Sequence, residues 1–474
     1  MADNNQGSRA IKAGVGYTIG NIFCKGLSFL STFIFARLLS TADFGIYNTF
    51  SSYVSILAVM IGFALHVSIK NAYLDYGDRL DGYCSSISLL TVGNSLLLFA
   101  LAWIFRRKLG EVLSIPTAMV AIVVVESFST AMMQFYNDYL AVHFLSKKYL
   151  LISLTYAVAG TVLSVILVCL VFPNERYLGR ALGTMIPLLC IAVFILFTIY
   201  RKARPKVNRE YWKYGLKISL PIVPHGLSQL ILAQFDRIMI KKSVGDVEAG
   251  LYSFANSIGF IFQVITNSMD TAFCPWFFGR MQEKNYDSIR RTTNVYVVFV
   301  SLMAMGLLLI CPELILIMGG AKYMESRYVV MPIVLSVYFA FLYTLPSSVE
   351  YYHKKTKIIA AGTMAAAALN VVLNSTFIPL YGYVAAAYTT VFCYVCYFLI
   401  HLFICWRVQK GMLFDLRVLL GCAAAVTVFM FVCLWLVDAI LIRMVILVLF
   451  LAFLGLLGWK NREYLMLVLK SLRS

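Results

Sequence analysis

Fourteen mostly apolar stretches, separated by short polar turns, fill nearly the whole chain. They lie at about residues 13–37, 45–69, 83–105, 117–140, 149–171, 179–200, 215–240, 250–272, 292–311, 327–348, 358–378, 383–405, 416–437 and 439–458. Runs near 20 residues suit helices that cross a hydrocarbon core, whereas a barrel strand needs only ~10. The pattern therefore predicts an all-α integral membrane protein with fourteen transmembrane helices. No connection is long enough to fold as a soluble domain.

The pattern also repeats. Ser40-Thr41-Ala42-Asp43-Phe44-Gly45-Ile46-Tyr47 matches Gly245-Asp246-Val247-Glu248-Ala249-Gly250-Leu251-Tyr252 at an offset of 205 residues. Each copy places an acid, a glycine and a tyrosine at i, i+2 and i+4, in a polar turn between two apolar runs. Pro173, Tyr177 and Thr184 match Pro379, Tyr383 and Thr390 at 206, and Lys147-Lys148 matches Lys354-Lys355 at 207. Near-equal offsets in one order mean two homologous halves running in the same direction, an architecture of secondary transporters. The expected organisation is a six-helix lobe at 1–200, a basic linker at 201–214, a second six-helix lobe at 215–405, and two extra helices with a tail at 406–474.

Charge adds sidedness. With the N-terminus cytoplasmic, the inner connections hold 27 Lys and Arg and the outer ones 12. This bias places both termini inside. The run Arg106-Arg107-Lys108 goes against it, as a snorkelling cluster or a cavity mouth. All six tryptophans fall near span ends, as interfacial belts require. The first twelve residues are polar and the next apolar run exceeds a signal-peptide core, so no cleavable leader is expected.

Composition agrees. Hydrophobic residues are 61% of the 474 and charged residues only 13%. The net charge of +18 does not imply nucleic acid, because the cations alternate between loops instead of forming one patch. Cys393 and Cys396 form a CxxC on a span, where small thiols pack between helices.

The stretch Phe35-Ala36-Arg37-Leu38-Leu39-Ser40-Thr41-Ala42-Asp43-Phe44-Gly45-Ile46-Tyr47 resembles the end of the first helix and the first turn of bacterial Wzx-type polysaccharide flippases. Leu220-Pro221 through Asp236-Arg237 to Gly250-Leu251-Tyr252 resembles their seventh helix and its turn. The resemblance covers the whole chain. It implies the V-shaped fold of the superfamily that includes lipid II flippases and multidrug exporters. It also implies movement of an undecaprenyl-diphosphate-linked oligosaccharide from the inner to the outer leaflet of the bacterial plasma membrane by alternating access, for surface polysaccharide biosynthesis. Implied partners are that lipid-linked sugar, membrane lipids and a polysaccharide polymerase.

Charges inside spans are costly and mark candidate sites. Lys25 lies about twelve residues, ~18 Å, into the first span, too deep to snorkel. It reads as a phosphate ligand or as the partner of Glu126 in the fourth span. Glu126 is alternatively the site of ion coupling. Arg37, an anchor or a second substrate cation, is rotated 120° from Lys25 on an ideal helix. His225 follows Pro221 and Pro224, which should bend the seventh span. It is a candidate phosphate ligand or a hydrogen-bonded helix contact. Asp236 and Arg237 near the outer end of that span are gate candidates. His66, Asp270, Glu350 and His353, close to inner span ends, read as interfacial, with an inner gate as the alternative.

No nucleotide loop, metal motif or nucleophile elbow is present. The expected protein is a transporter without catalytic residues, metal or cofactor, driven by a proton or sodium gradient or by membrane potential. The mid-depth charges lean basic, which favours an anionic substrate. A cation-coupled drug exporter is the alternative of the same fold. A membrane polymerase or acyltransferase is the alternative enzyme, and the short outer loops speak against a polymerase.

Overall fold

Helices form where the apolar runs predict them. The structure, a computed structural model, describes residues 2–460, with side chains except at 2–15, 18, 19, 21, 22, 457 and 458. The expected tail and the terminal cations Arg9, Lys12, Arg462, Lys470 and Arg473 therefore lie outside the described side chains.

In chain order the helices are α1 (Ala2–Leu38), α2 (Thr41–Gly62), α3 (Ser68–Tyr76), α4 (Leu80–Ile104), α5 (Arg106–Leu113), α6 (Thr117–Val142), α7 (Ser146–Ile166), α8 (Arg176–Lys202) and α9 (Arg209–Ser219). They continue as α10 (Val223–Ser243), α11 (Asp246–Gln282), α12 (Tyr286–Met318), α13 (Arg327–Tyr352), α14 (Thr356–Tyr381), α15 (Tyr383–Gln409), α16 (Leu416–Trp435) and α17 (Ile440–Lys460). Among the described residues, eleven helices are long and apolar enough to cross a membrane, and twelve if α9 and α10 form one bent span. The other two expected spans fall on α1 and on the shorter apolar helix Ile440–Leu456.

Local chemistry explains the breaks. Pro221 and Pro224 remove two backbone donors, and the chain bends by 48° between α9 and α10, as their positions predict. The expected second span stops early at Gly62, because Phe63 and Ala64 both adopt left-handed φ, 48° and 50°. The basic run at 106–108 starts the short helix α5. There Arg106 donates to the Trp103 carbonyl at 3.0 Å and covers its ring at 4.9 Å.

Helix contacts divide the chain into two units that differ from the boundaries read from the repeat. The first is residues 1–257 with 356–393, and the second is 258–355 with 394–474. In the first, an aromatic core forms where Tyr76 stacks on Tyr83 at 5.3 Å, with Tyr211 and Tyr214 edge-on. The basic linker is lashed to α4. Ser85 donates to the Ala203 carbonyl at 2.9 Å, Asn208 N–H donates to Ser86 Oγ at 3.1 Å, and Trp212 Nε1 donates to the Ser86 carbonyl at 2.9 Å. In the second unit, Arg443 is a buried residue of α17. It forms a fork to Glu313 at 2.7 and 2.9 Å and reaches the Leu309 carbonyl at 3.0 Å. This fork ties the appended helix to α12.

Candidate functional site

The repeated acid–Gly–Tyr motif does three jobs in one helical turn. Asp43 closes a capping box with Ser40, so the acid starts α2. The equivalent Glu248 lies in the first turn of α11. Gly45 and Gly250 then let these two first turns meet backbone to backbone. A Cβ on Gly45 would overlap the Asp246 carbonyl and lie 2.7 Å from Gly250 N. A Cβ on Gly250 would overlap the Thr41 carbonyl and lie 3.2 Å from Gly45 N. Two residues later, Tyr47 and Tyr252 each enter a polar cluster.

The two clusters are built from equivalent positions. Ser31, Tyr47, Ser164 and Thr184 correspond to Asp236, Tyr252, Asn370 and Thr390 at the same offsets of 205 and 206. In the first cluster Arg180 sits at the centre. It donates to Ser31 Oγ at 3.1 Å and Ser164 Oγ at 3.0 Å, and its guanidinium lies 3.7 Å from the Phe35 ring and 5.0 Å from the Tyr47 ring. Thr184 donates to buried Glu126 at 3.3 Å. In the second cluster the centre is Asp236. Its Oδ2 accepts from Tyr252 at 2.5 Å and Thr390 at 2.9 Å, and its Oδ1 accepts from Asn374 at 2.6 Å. Asn374 also accepts from Thr389 and donates to Asn370 at 3.0 Å. Every partner of Asp236 thus comes from the second half of the sequence. In each cluster the equivalent threonine donates to a carboxylate, yet the carboxylates come from different helices, α6 and α10.

The structure separates residues that the sequence allowed to pair. Lys25 is half-buried and, among the described residues, has neither hydrogen bond nor ion pair. Glu126 is turned to Thr184 and Arg180, so the Lys25–Glu126 pair is not formed. Arg37 lies at the exposed end of α1 with its guanidinium 5.4 Å from the Phe33 ring. His225 faces Gln229 of its own helix at 3.2 Å, and its Nδ1 is buried without a hydrogen-bond partner among the described residues. Glu350 is not interfacial. It is fully buried against His401, with Nδ1 at 2.8 and 3.0 Å from the two carboxylate oxygens. A position near a helix end gives depth along the axis, not which way the side chain turns. His353 instead pairs with Gln409 at 2.9 Å.

On α10, Ser228, Leu232 and Asp236 form a buried stripe. One residue on, Gln229 and Ala233 are exposed and Arg237 is half-buried. The equivalent stripe on α1 is Cys24, Ser28 and Thr32, with Lys25 beside Ser28 at i, i+3. Polar groups on an open helix face at membrane depth are unfavourable against lipid and favourable against a polar cavity. Lys25, Ser28, Thr32, His225, Gln229 and Arg237 are therefore the candidate site. Ser28, Thr32 and Gln229 escape a reading that looks only for charges. Applying the repeat offset to Gln229 and Arg237 would have pointed to α1.

The model of a family described as "Polysaccharide biosynthesis protein" matches residues 11–282, more than half of the chain. The chain belongs to the polysaccharide biosynthesis protein family. A Haemophilus influenzae protein named "Lsg locus putative protein 1" is 20% identical over 365 residues, 74% of this chain and 87% of that one. The fold is that of the lipid II flippase MurJ in an inward closed conformation, with a TM-score of 0.73 at 17% identity, covering 95% of this chain and 99% of that one. An inward-facing multidrug transporter of the MATE family matches with a TM-score of 0.64 at 14% identity, over 81% of this chain and 96% of that one. This family member is thus a multi-pass membrane protein with a flippase and transporter fold.

Proposed function

We propose that the protein moves an undecaprenyl-diphosphate-linked oligosaccharide from the inner to the outer leaflet of the bacterial plasma membrane, where a polysaccharide polymerase would take it up. The observation that carries this reading is a lysine midway along the expected first span, 13–37, that makes no hydrogen bond or ion pair among the described residues, in a fold shared with a lipid II flippase and a chain of the polysaccharide biosynthesis protein family. A diphosphate supplies the missing counter-charge, and the neutral stripe Ser28, Thr32 and Gln229 supplies contacts for sugar hydroxyls. Proteoliposomes holding a fluorescent undecaprenyl-diphosphate oligosaccharide are the test. The labelled sugar should become accessible across the bilayer, and cationic drugs should not compete. Drug-competed transport without sugar movement would make the protein an exporter instead.

Both termini are cytoplasmic in this reading, from the charge bias of the loops. Reporter fusions after Ala203 should report the cytoplasm and fusions after Ser243 the outside. The reverse pattern would overturn the sidedness.

A cation gradient drives the cycle through the buried carboxylates Glu126 and Asp236. The support is that each is held by hydroxyl and amide groups that can turn an oxygen toward a proton or sodium ion. Asp236→Asn and Glu126→Gln should each make transport insensitive to the gradient, while substrate binding persists. Unchanged gradient dependence in both variants would remove coupling from these sites.

A further inference from the structure

The end of α13 is tied to α15 at two points within the second unit, and each tie uses a histidine. His353, which is exposed, meets Gln409 at 2.9 Å. Three residues earlier, Glu350 meets His401, whose Nδ1 lies 2.8 and 3.0 Å from the two carboxylate oxygens. Both of these side chains are 0% exposed. Tyr343 and Tyr397 stack on each other at 4.1 Å and flank the imidazole at 5.0 and 4.6 Å. Tyr351 of α13 and Cys405 of α15 also face Glu350, and Cys274 of α11 faces Tyr351.

That enclosure limits the charge the pair can hold. No lysine or arginine pairs with Glu350 among the described residues. The pair is neutral either as carboxylate with imidazolium or as carboxylic acid with imidazole, and the proton then belongs to both. Loss of that proton leaves a sealed anion, which is strongly unfavourable. His401 Nε2 is buried without a hydrogen-bond partner among the described residues, so no second acceptor there shares the proton. His353 is under no such constraint, because water reaches it in either charge state. Pro346 lies inside α13, four residues before Glu350. It supplies no N–H to the helical ladder, which weakens α13 just where its last turns would swing. Residues 347–352 can then turn a bare carboxylate toward water without unfolding the helix.

We propose that Glu350 and His401 form a proton-binding site: the end of α13 is held against α15 while the pair carries one proton, and is released when that proton leaves. The site is separate from Glu126 and Asp236, and it operates whatever the substrate. The tie is fully present at low pH and is lost as pH rises, because only the deprotonated pair carries an uncompensated charge.

Spin labels at the exposed positions Lys354 and Arg407 report the distance between the two helix ends in protein held in nanodiscs. In otherwise wild-type protein that distance should lengthen in a single one-proton transition as pH is raised from about 5 to 8. Glu350→Gln should stay short throughout, since its amide oxygen accepts from the Nδ1–H with no extra proton. His401→Gln leaves only the carboxyl to hold the proton. Its midpoint should fall by about two pH units, the gap between ordinary histidine and glutamate values. His353→Gln, Glu126→Gln and Asp236→Asn should each switch as wild type does. A wild-type distance that ignores pH overturns the site. So does a Glu350→Gln that switches at the wild-type midpoint. Loss of the switch in His353→Gln would move the sensor to the exposed histidine and also overturns it. The titration uses no substrate, so its failure leaves the flippase reading standing, and a protein that moves no sugar can still pass it.

Discussion

Gly45→Leu should reduce transport more than a hundredfold while the protein remains in the membrane. At this position α2 meets α11 through backbone atoms alone. A Cβ on Gly45 stands 2.7 Å from Gly250 N and overlaps the Asp246 carbonyl. Neither atom is the end of a side chain that can swing away, so relief requires the helices to part. Overpacking of this kind costs ~1–3 kcal/mol or more. A bias of ~3 kcal/mol shifts a two-state balance by more than a hundredfold. An alternating-access cycle that must form and break this contact would stall on the open side. Gly250→Leu should act the same way, and the two alanine variants should fall between. Spin labels at Asp43 and Glu248 report the separation of the two first turns, which should lengthen in each variant. Wild-type transport by Gly45→Leu would show that the contact takes no part in the cycle.

Lys25→Ala should weaken transport about ten- to a hundredfold, the equivalent of one charge-assisted contact of ~1.5–3 kcal/mol. Lys25→Arg should retain part of the activity, since a flexible diphosphate needs charge before shape. The structure also fixes the outcome of a double variant. If Lys25 were held by Glu126, removing the acid would relieve the unpaired charge and restore function. Glu126 is instead held by Thr184, so Glu126→Gln should not rescue Lys25→Ala. Rescue in a well-expressed double variant would reinstate the ion pair. Full activity of Lys25→Ala alone would remove the residue from the site.

Long apolar runs, the proline bend and the repeat were all legible in the sequence, because each depends on local composition or on order along the chain. The acid–Gly–Tyr motif was legible as a repeat but not as a mechanism. A sequence does not say that the two glycines touch. Azimuth was the missing quantity elsewhere. Lys25 and Glu126 both fall within expected spans, yet Glu126 turns to Thr184 while Lys25 makes no hydrogen bond or ion pair among the described residues. Glu350 lies near a helix end, yet it is sealed against His401. Arg180 stands five residues into α8, at the edge of the expected span, and its hydroxyl partners are on α1 and α7. Serine, threonine and asparagine in a span give no signal alone. Only the offset between halves makes Ser31 with Asp236 and Ser164 with Asn370 conspicuous.

The glycine crossing bears on how such a chain can be assembled from parts. Thr41 and Gly45 touch Gly250, while Asp246 and Gly250 touch Gly45, and Thr41 corresponds to Asp246 at the repeat offset. The contact is therefore isologous, the same patch meeting itself across a local dyad. A polypeptide of half this length, made of one repeat, would close on a second copy through this one glycine. In such a homodimer any side chain added at the axis would clash twice. Covalent fusion removes that double jeopardy and frees each copy to specialise. The arginine-centred cluster in one half and the aspartate-centred cluster in the other show what that freedom permits.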